Sequence, residues 1–243
     1  MELKYYFFLT MRESFEYKPE NAKTYRALEI EGTTFEMSFT ETKRMAGSLS
    51  GKTVLDFGSG AGRSARFLKE IGAERVIGAE HNATMTDQAK AEKVDGIEYC
   101  LIDKQFPLSD ASVDFAFASQ VFMEMKSPED MQRSMSEISR VLKSDSEFIL
   151  IVTNPEAYGH DFKSYQYPDD PQNLKSGDLV HCIIKGEKPF SITDYYWTED
   201  DYKTALEASG FVIEEMTYPL PKSGEWLDET KVAPDIVIKA RKK

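Results

Sequence analysis

"VLDFGSGAGRS", residues 54–64, places one acid, Asp56, inside a short apolar run and then a glycine at every second position: Gly58, Gly60 and Gly62. Val54, Leu55 and Phe57 mark a buried strand. Glycines permit positive φ and keep every Cβ away from whatever approaches the backbone. A helix that begins beyond such a turn aims its free N–H groups, and the positive end of its dipole, at the same point. The turn is read as a place where a ligand meets backbone.

Working outward, strand and helix patterns alternate. "RVIGAE" (75–80), "GIEYCLID" (96–103), "VDFAFAS" (113–119) and "SEFILIV" (146–152) read as further strands. The segments 64–72, 83–94 and 127–143 read as helices, the last with Ser127 as N-cap and Pro128 as first residue. This order calls for a parallel sheet with helices on both faces. The alternation stops after Asn154–Pro155. Residues 155–177 read as an irregular lid, and 178–197 as two strands joined by a turn at 185–188. Thr198 then caps a helix through Ser209, with Asp201 placed for a capping box, and strands follow at 211–218 and 235–241. Before the first strand, helices are expected from Pro19 to Ile30 and from Thr40 to Leu49. The fold class is α/β: a Rossmann-like, seven-stranded, mostly parallel sheet. Residues 1–50 form an N-terminal helical cap, and 51–243 the main domain with a lid and hairpin insertion at 155–197.

The chain of 243 residues is 41% hydrophobic, enough for a sizeable core, and its formal net charge is −12. That balance repels phosphate backbones, so nucleic acid is not expected as a partner; the basic run at 239–243 reads as a solvated tail. Cys100 and Cys182 read as buried thiols, with no zinc spacing and no metal implied. The apolar patch Tyr5–Leu9 is too short to span a bilayer and lacks a signal-peptide layout, so a cytoplasmic protein without a membrane partner is expected.

Two more acids end strands: Glu80, where a carboxylate can accept hydrogen bonds from a ribose diol, and Asp103, where one can meet an exocyclic amine. The dinucleotide pattern G-x-G-x-x-G/A fails at its third position, which is Arg63, and Asp56 would repel a pyrophosphate. Three acids beside a glycine turn describe a pocket for a nucleoside that carries positive charge.

These residues resemble the class I S-adenosylmethionine-dependent methyltransferases over roughly residues 40–155. "VLDFGSGAGRS" is similar to the first motif of that family, "VIGAEHN" to the second, and "LIDKQFPLSDASVDFAFASQVF" to the third and fourth. The resemblance implies S-adenosylmethionine as cofactor. Asp56, Gly58, Ser59, Gly60 and Gly62 would hold its methionine end, Glu80 its ribose hydroxyls, and His81 and Met85 would flank adenine. Ile102 and Asp103 would lie at the adenine edge, and Ser119 would approach the methionine amine through its backbone. Residues 154–218 carry a fainter likeness to small-molecule enzymes of the toxoflavin type, so the acceptor is expected to be a small molecule methylated on N or O. "KSDS" (143–146) replaces the usual "KPGG", and Glu124 stands where many relatives carry histidine.

For a base the sequence offers His160 and His181, each read first as structural. Most of Tyr158, Tyr165, Tyr167, Tyr195, Tyr196 and Trp197 read as packing, with an aromatic-walled acceptor pocket as the sharper alternative. Tyr25 and the Tyr5–Phe8 patch are likewise read first as packing, with closure over the cofactor pocket second. Two other functions are weighed. A nicotinamide-dependent oxidoreductase is opposed by Arg63 and Asp56. A catalytically silent nucleoside-binding or scaffold protein would have its acceptor cavity blocked by side chains from 155–197. Acceptor identity and oligomeric state are not written in the sequence.

Overall fold

A computed structural model describes residues 19–102 and 106–243. Two helices, α1 (Pro19–Arg26) and α2 (Phe35–Ala46), precede the sheet. Its elements are β1 (Thr53–Phe57), α3 (Arg63–Glu70), β2 (Arg75–Glu80), α4 (Ala83–Lys90), β3 (Ile97–Leu101), β4 (Val113–Ser119), α5 (Pro128–Val141) and β5 (Leu142–Thr153). A separate antiparallel sheet follows, made of β6 (Tyr165–Gln166), β7 (Leu179–Ile184) and β8 (Phe190–Tyr195). The chain then returns through α6 (Glu199–Ala208), β9 (Phe211–Thr217) and β10 (Asp235–Lys242).

The main sheet has seven strands in the order β3-β2-β1-β4-β5-β10-β9, and only β10 runs antiparallel to its neighbours. Side chains alternate between faces. Val54, Phe115, Phe117 and Ile149 pack beneath Phe39 of α2 and Phe67 of α3. Leu55, Phe57, Ala116 and Phe148 pack on the other face with Met131 and Ile138 of α5 and Tyr202 and Leu206 of α6. Strand order reverses between β1 and β4, with β2 beyond β1, which opens a crevice at the strand tips.

Caps set the helix starts. Ser127 Oγ accepts the Asp130 N–H at 3.1 Å. Thr198 and Asp201 form the reciprocal capping box on α6. Several boundaries differ from expectation for local reasons. α2 runs Phe35–Ala46 because Gly47 turns to φ +59° and ends it before Leu49. α4 stops at Lys90, short of Val94, where the chain turns with Ile97 N–H on Val94 O at 3.2 Å. β5 begins at Leu142, paired with Val113 ahead of a bulge. β6 is only two residues long, inside the stretch read as irregular. Cys100 is half-buried on the β3 strand, not buried; Cys182 is buried as expected.

Candidate functional site

A cleft of about 630 Å³, part of it open to solvent, lies at the tips of β1, β2 and β4. The glycine turn forms its floor. Gly58 donates its N–H to Ala79 O at 2.8 Å and holds φ +69°. A Cβ there would stand 2.3 Å from Val121 Cγ2, so the turn closes only without one. Gly60, at φ +50°, points its N–H at Glu80 Oε2, 2.8 Å away.

Glu80 is buried at the end of β2, and its other oxygen takes the Asn82 N–H at 2.7 Å and His81 Nδ1 at 3.1 Å. Burial pushes this carboxyl up, but the His81 hydrogen bond and charge, with the two backbone N–H groups, outweigh it and hold the group below its ordinary value. Burial lowers His81, and Glu80 more than reverses this, carrying the imidazole to about 9. Glu80 and His81 thus form an ion pair on the cleft wall. Each carboxylate oxygen offers two lone pairs, so Oε2 keeps capacity for a hydroxyl donor.

Gly58, Ser59, Gly60, Glu80, His81, Met85 and Ser119 all line this cleft. Asp56 does not: it is fully buried behind the turn, where its Oδ2 accepts from Ser64 Oγ at 2.7 Å. Burial pushes its carboxyl up to about 7, the Ser64 hydrogen bond opposing and Glu80 adding. Gly62 sits beneath the Tyr99 hydroxyl, and Ile102 lies in the core with its N–H on Glu80 O at 2.7 Å. Asp103 and the Tyr5–Phe8 patch lie outside the described residues. Three buried oxygens at and behind the turn, Asp56 Oδ1, Ser59 Oγ and Ser119 Oγ, have no hydrogen-bond partner among the described residues. Of these, the Ser59 and Ser119 hydroxyls belong to residues that line the cleft and suit a polar ligand such as an adenosyl amino acid.

Several lining residues escaped the sequence reading. Arg63 stacks its guanidinium 3.8 Å from the Phe35 ring centroid and hydrogen-bonds Tyr25 Oη at 3.1 Å. The residue that breaks the dinucleotide pattern is therefore the tie between α3 and the N-terminal helices. Gln120, at φ +59°, sends its side chain to Asp235 Oδ1 at 2.7 Å. Glu124 ends a 3-10 turn after β4.

Tyr25, Gln120 and Glu124 also border a second cleft of about 370 Å³, part of it open. Its far wall comes from the inserted sheet: Tyr165, Tyr167, Cys182, Ile184, Ile192 and Asp194. The remaining aromatic residues pack. Tyr158 lies against Tyr167 and Tyr196, and Trp197 Nε1 bonds Met125 O at 3.1 Å. Neither histidine offered as a base lines either cleft. His160 Nδ1 is 3.1 Å from Asp228 Oδ2, beside a depression with Tyr218 and Lys231, and the half-exposed His181 pairs with Asp169 at 3.3 Å.

The doubly wound sheet, with a glycine turn and an acid at its switch point, defines a nucleoside-binding α/β protein. A family model described as a methyltransferase domain matches residues 55–150. N-demethylindolmycin N-methyltransferase of Streptomyces griseus is 26% identical over 162 residues, 65% of this chain and 68% of that protein. The O-methyltransferase resE of Aspergillus sclerotiorum is 24% identical over 190 residues, 70% of this chain and 69% of that protein. An S-adenosylmethionine-dependent methyltransferase from Mesorhizobium loti shares the fold, with TM-score 0.66 at 20% identity, over 88% of this chain and all of that one. Residues 55–150 carry a methyltransferase domain, and the chain resembles the class I enzymes in sequence and fold; it is an S-adenosylmethionine-dependent methyltransferase, and S-adenosylmethionine is its cofactor. No helix among the described residues is long and apolar enough to cross a membrane.

Proposed function

We propose that this methyltransferase transfers its methyl group to a nitrogen or oxygen of a small molecule. The observation that carries the reading is the second cleft, which meets the first along Tyr25, Gln120 and Glu124. Its lining of aromatic and aliphatic side chains with a few polar groups is of the kind that small-molecule sites use. The names of the two relatives, an N- and an O-methyltransferase, support the same acceptor class. The toxoflavin-type likeness falls on the region that supplies the far wall, which supports reading 155–197 as the acceptor-recognising insertion of the 51–243 domain, with 1–50 as its cap. A net charge of −12 gives no help in gathering a nucleic acid.

In the first cleft, Glu80 takes the ribose hydroxyls, while His81 and Met85 flank the adenine. The Gly58–Gly62 turn, Ser59 and the Ser119 backbone hold the methionine end, with the Asp56 carboxyl buried behind the turn. The bound cofactor supplies a methyl on a sulfonium whose leaving group is a neutral thioether. The chain's part is to align the acceptor with that methyl and to exclude water. Arg63, by clamping Tyr25 and Phe35, keeps the N-terminal helices over both clefts.

The test is incubation with methyl-labelled S-adenosylmethionine in cell extract, followed by separation of small molecules from macromolecules. Label is expected in the small-molecule fraction. Label confined to protein or nucleic acid would overturn the acceptor class.

A further inference from the structure

The second cleft is mostly aromatic and aliphatic, yet it holds two acids. Asp194, on β8, is 5% exposed, and its carboxylate accepts no hydrogen bond from any described residue. Glu124, only partly buried, stands at the seam of the two clefts and is likewise without a hydrogen bond to its side chain from any described residue. Among the described residues, the titratable groups facing Glu124 are His81 and Glu80 at the tip of β2, Asp194 of the inserted sheet, and Tyr25 of α1.

Burying one carboxylate without a partner is unfavourable, and burying two near each other more so. In the free protein the cost is met by protonation. Burial pushes Glu124 up to about 8, His81 opposing and Asp194 and Glu80 adding, and burial alone pushes Asp194 up to about 7. Among the described residues that line the cleft, none carries a positive charge. The walls of Tyr165, Tyr167 and Phe35 add π-faces that attract a cation.

We propose that the acceptor is a basic amine, which enters as its ammonium, lies opposite Asp194 and gives its proton to Glu124. This deepens the small-molecule reading above and rests on it. The N–H bond of the ammonium breaks, and the proton passes to the Glu124 carboxylate. The freed nitrogen lone pair forms the N–C bond as the C–S bond breaks, and the electron pair of that bond stays on sulfur. The methylated nitrogen is cationic again, and Glu124 returns its proton to solvent. Glu124 is thus the base that the sequence sought among histidines, and Asp194 the residue that selects for charge.

The full chain is first titrated with S-adenosylhomocysteine. The saturated protein is then titrated by calorimetry with N-methylbenzylamine, benzyl methyl ether and phenylacetate, probes of similar size and different charge. The ammonium is expected to bind about ten-fold tighter than either other probe. At about pH 7 it is expected to release protons, read from two buffers of different ionisation enthalpy, because a cation drives both acids to their charged forms. Asp194→Asn is expected to weaken the ammonium about ten-fold while leaving S-adenosylhomocysteine affinity unchanged, which also shows that the variant folds. Glu124→Gln is expected to reduce the proton release. Equal affinity for the three probes, preference for phenylacetate, or no ammonium binding to protein that does bind S-adenosylhomocysteine would overturn the amine assignment. Failure to bind S-adenosylhomocysteine would instead strike at the methyltransferase reading beneath it.

Discussion

Ser64 Oγ donates a 2.7 Å hydrogen bond to Asp56 Oδ2, tying the first turn of α3 to the tip of β1 across the glycine turn. The other carboxylate oxygen has no partner among the described residues. One hydroxyl is little compensation for a fully buried charge, and this imbalance sets the pH response of the free protein.

The Asp56 carboxyl is pushed by burial from its ordinary value near 4 to about 7. Between those values the folded protein holds a proton that the unfolded chain has lost, so stability falls as pH rises through this window and levels off above it. Asp194 and Glu124, raised to about 7 and about 8, act in the same sense. His81, raised to about 9, adds stability below its ordinary value that fades as pH climbs toward 9. The melting temperature of the cofactor-free protein is therefore expected to fall between about pH 5 and pH 8. Asp56→Asn should raise it at the upper end and leave the lower end unchanged. Scanning calorimetry that found a flat profile would contradict the burial argument.

Glu80→Ala removes the acceptor for the Gly60 and Asn82 N–H groups and the partner of His81. S-adenosylmethionine binding is expected to weaken by about 1–3 kcal/mol, the usual cost of stranding buried polar groups. Titration calorimetry of the variant checks this, and an unchanged affinity would remove Glu80 from the cofactor site.

Gly58→Ala tests the floor. The new methyl would meet Val121 Cγ2 at 2.3 Å, at a φ of +69° that alanine resists. Strain of that kind costs roughly 1–3 kcal/mol, and the melting temperature and cofactor affinity should both drop. Adding Val121→Ala relieves the contact but not the dihedral. The double variant should recover part of the loss measured by thermal melts; full recovery would show that sterics alone require the glycine.

The parts legible in the sequence were those written locally. The β1 strand, the glycine turn and Glu80 lie within one βαβ unit, whose periodicity and turn chemistry read directly. The Thr198–Asp201 box and the Ser127 cap were equally local. Glu124 and Asp194 were not readable as a pair, because a 3-10 turn after β4 and a strand of the inserted sheet meet only in the folded chain. Arg63 showed only as a misfit to another motif, since its partners Tyr25 and Phe35 lie far earlier in the chain. Gln120 carries no sequence mark for its left-handed backbone. His160 and His181 drew attention by residue type, and the fold sends both to other carboxylates.

Asp235 joins the main sheet to both clefts. It is fully buried at the start of β10 and accepts from Ser38 Oγ at 2.6 Å, Gln120 Nε2 at 2.7 Å and Tyr165 Oη at 3.2 Å. Those donors come from α2, from the loop after β4, and from β6. Burial pushes the carboxyl up to about 6, with the three hydrogen bonds opposing, so it is largely charged at neutral pH and the donors are satisfied. Asp235→Leu would leave all three without an acceptor. The expected loss is about 3 kcal/mol or more, since each stranded buried group costs about 1–3 kcal/mol. Asp235→Asn keeps one acceptor oxygen but turns an amide N–H₂ toward a donor, and should cost less. The measurement is urea unfolding of both variants beside the unsubstituted chain. A loss in Asp235→Leu no larger than that of Tyr165→Phe, which removes one donor only, would show that the three hydrogen bonds do not act through this carboxylate.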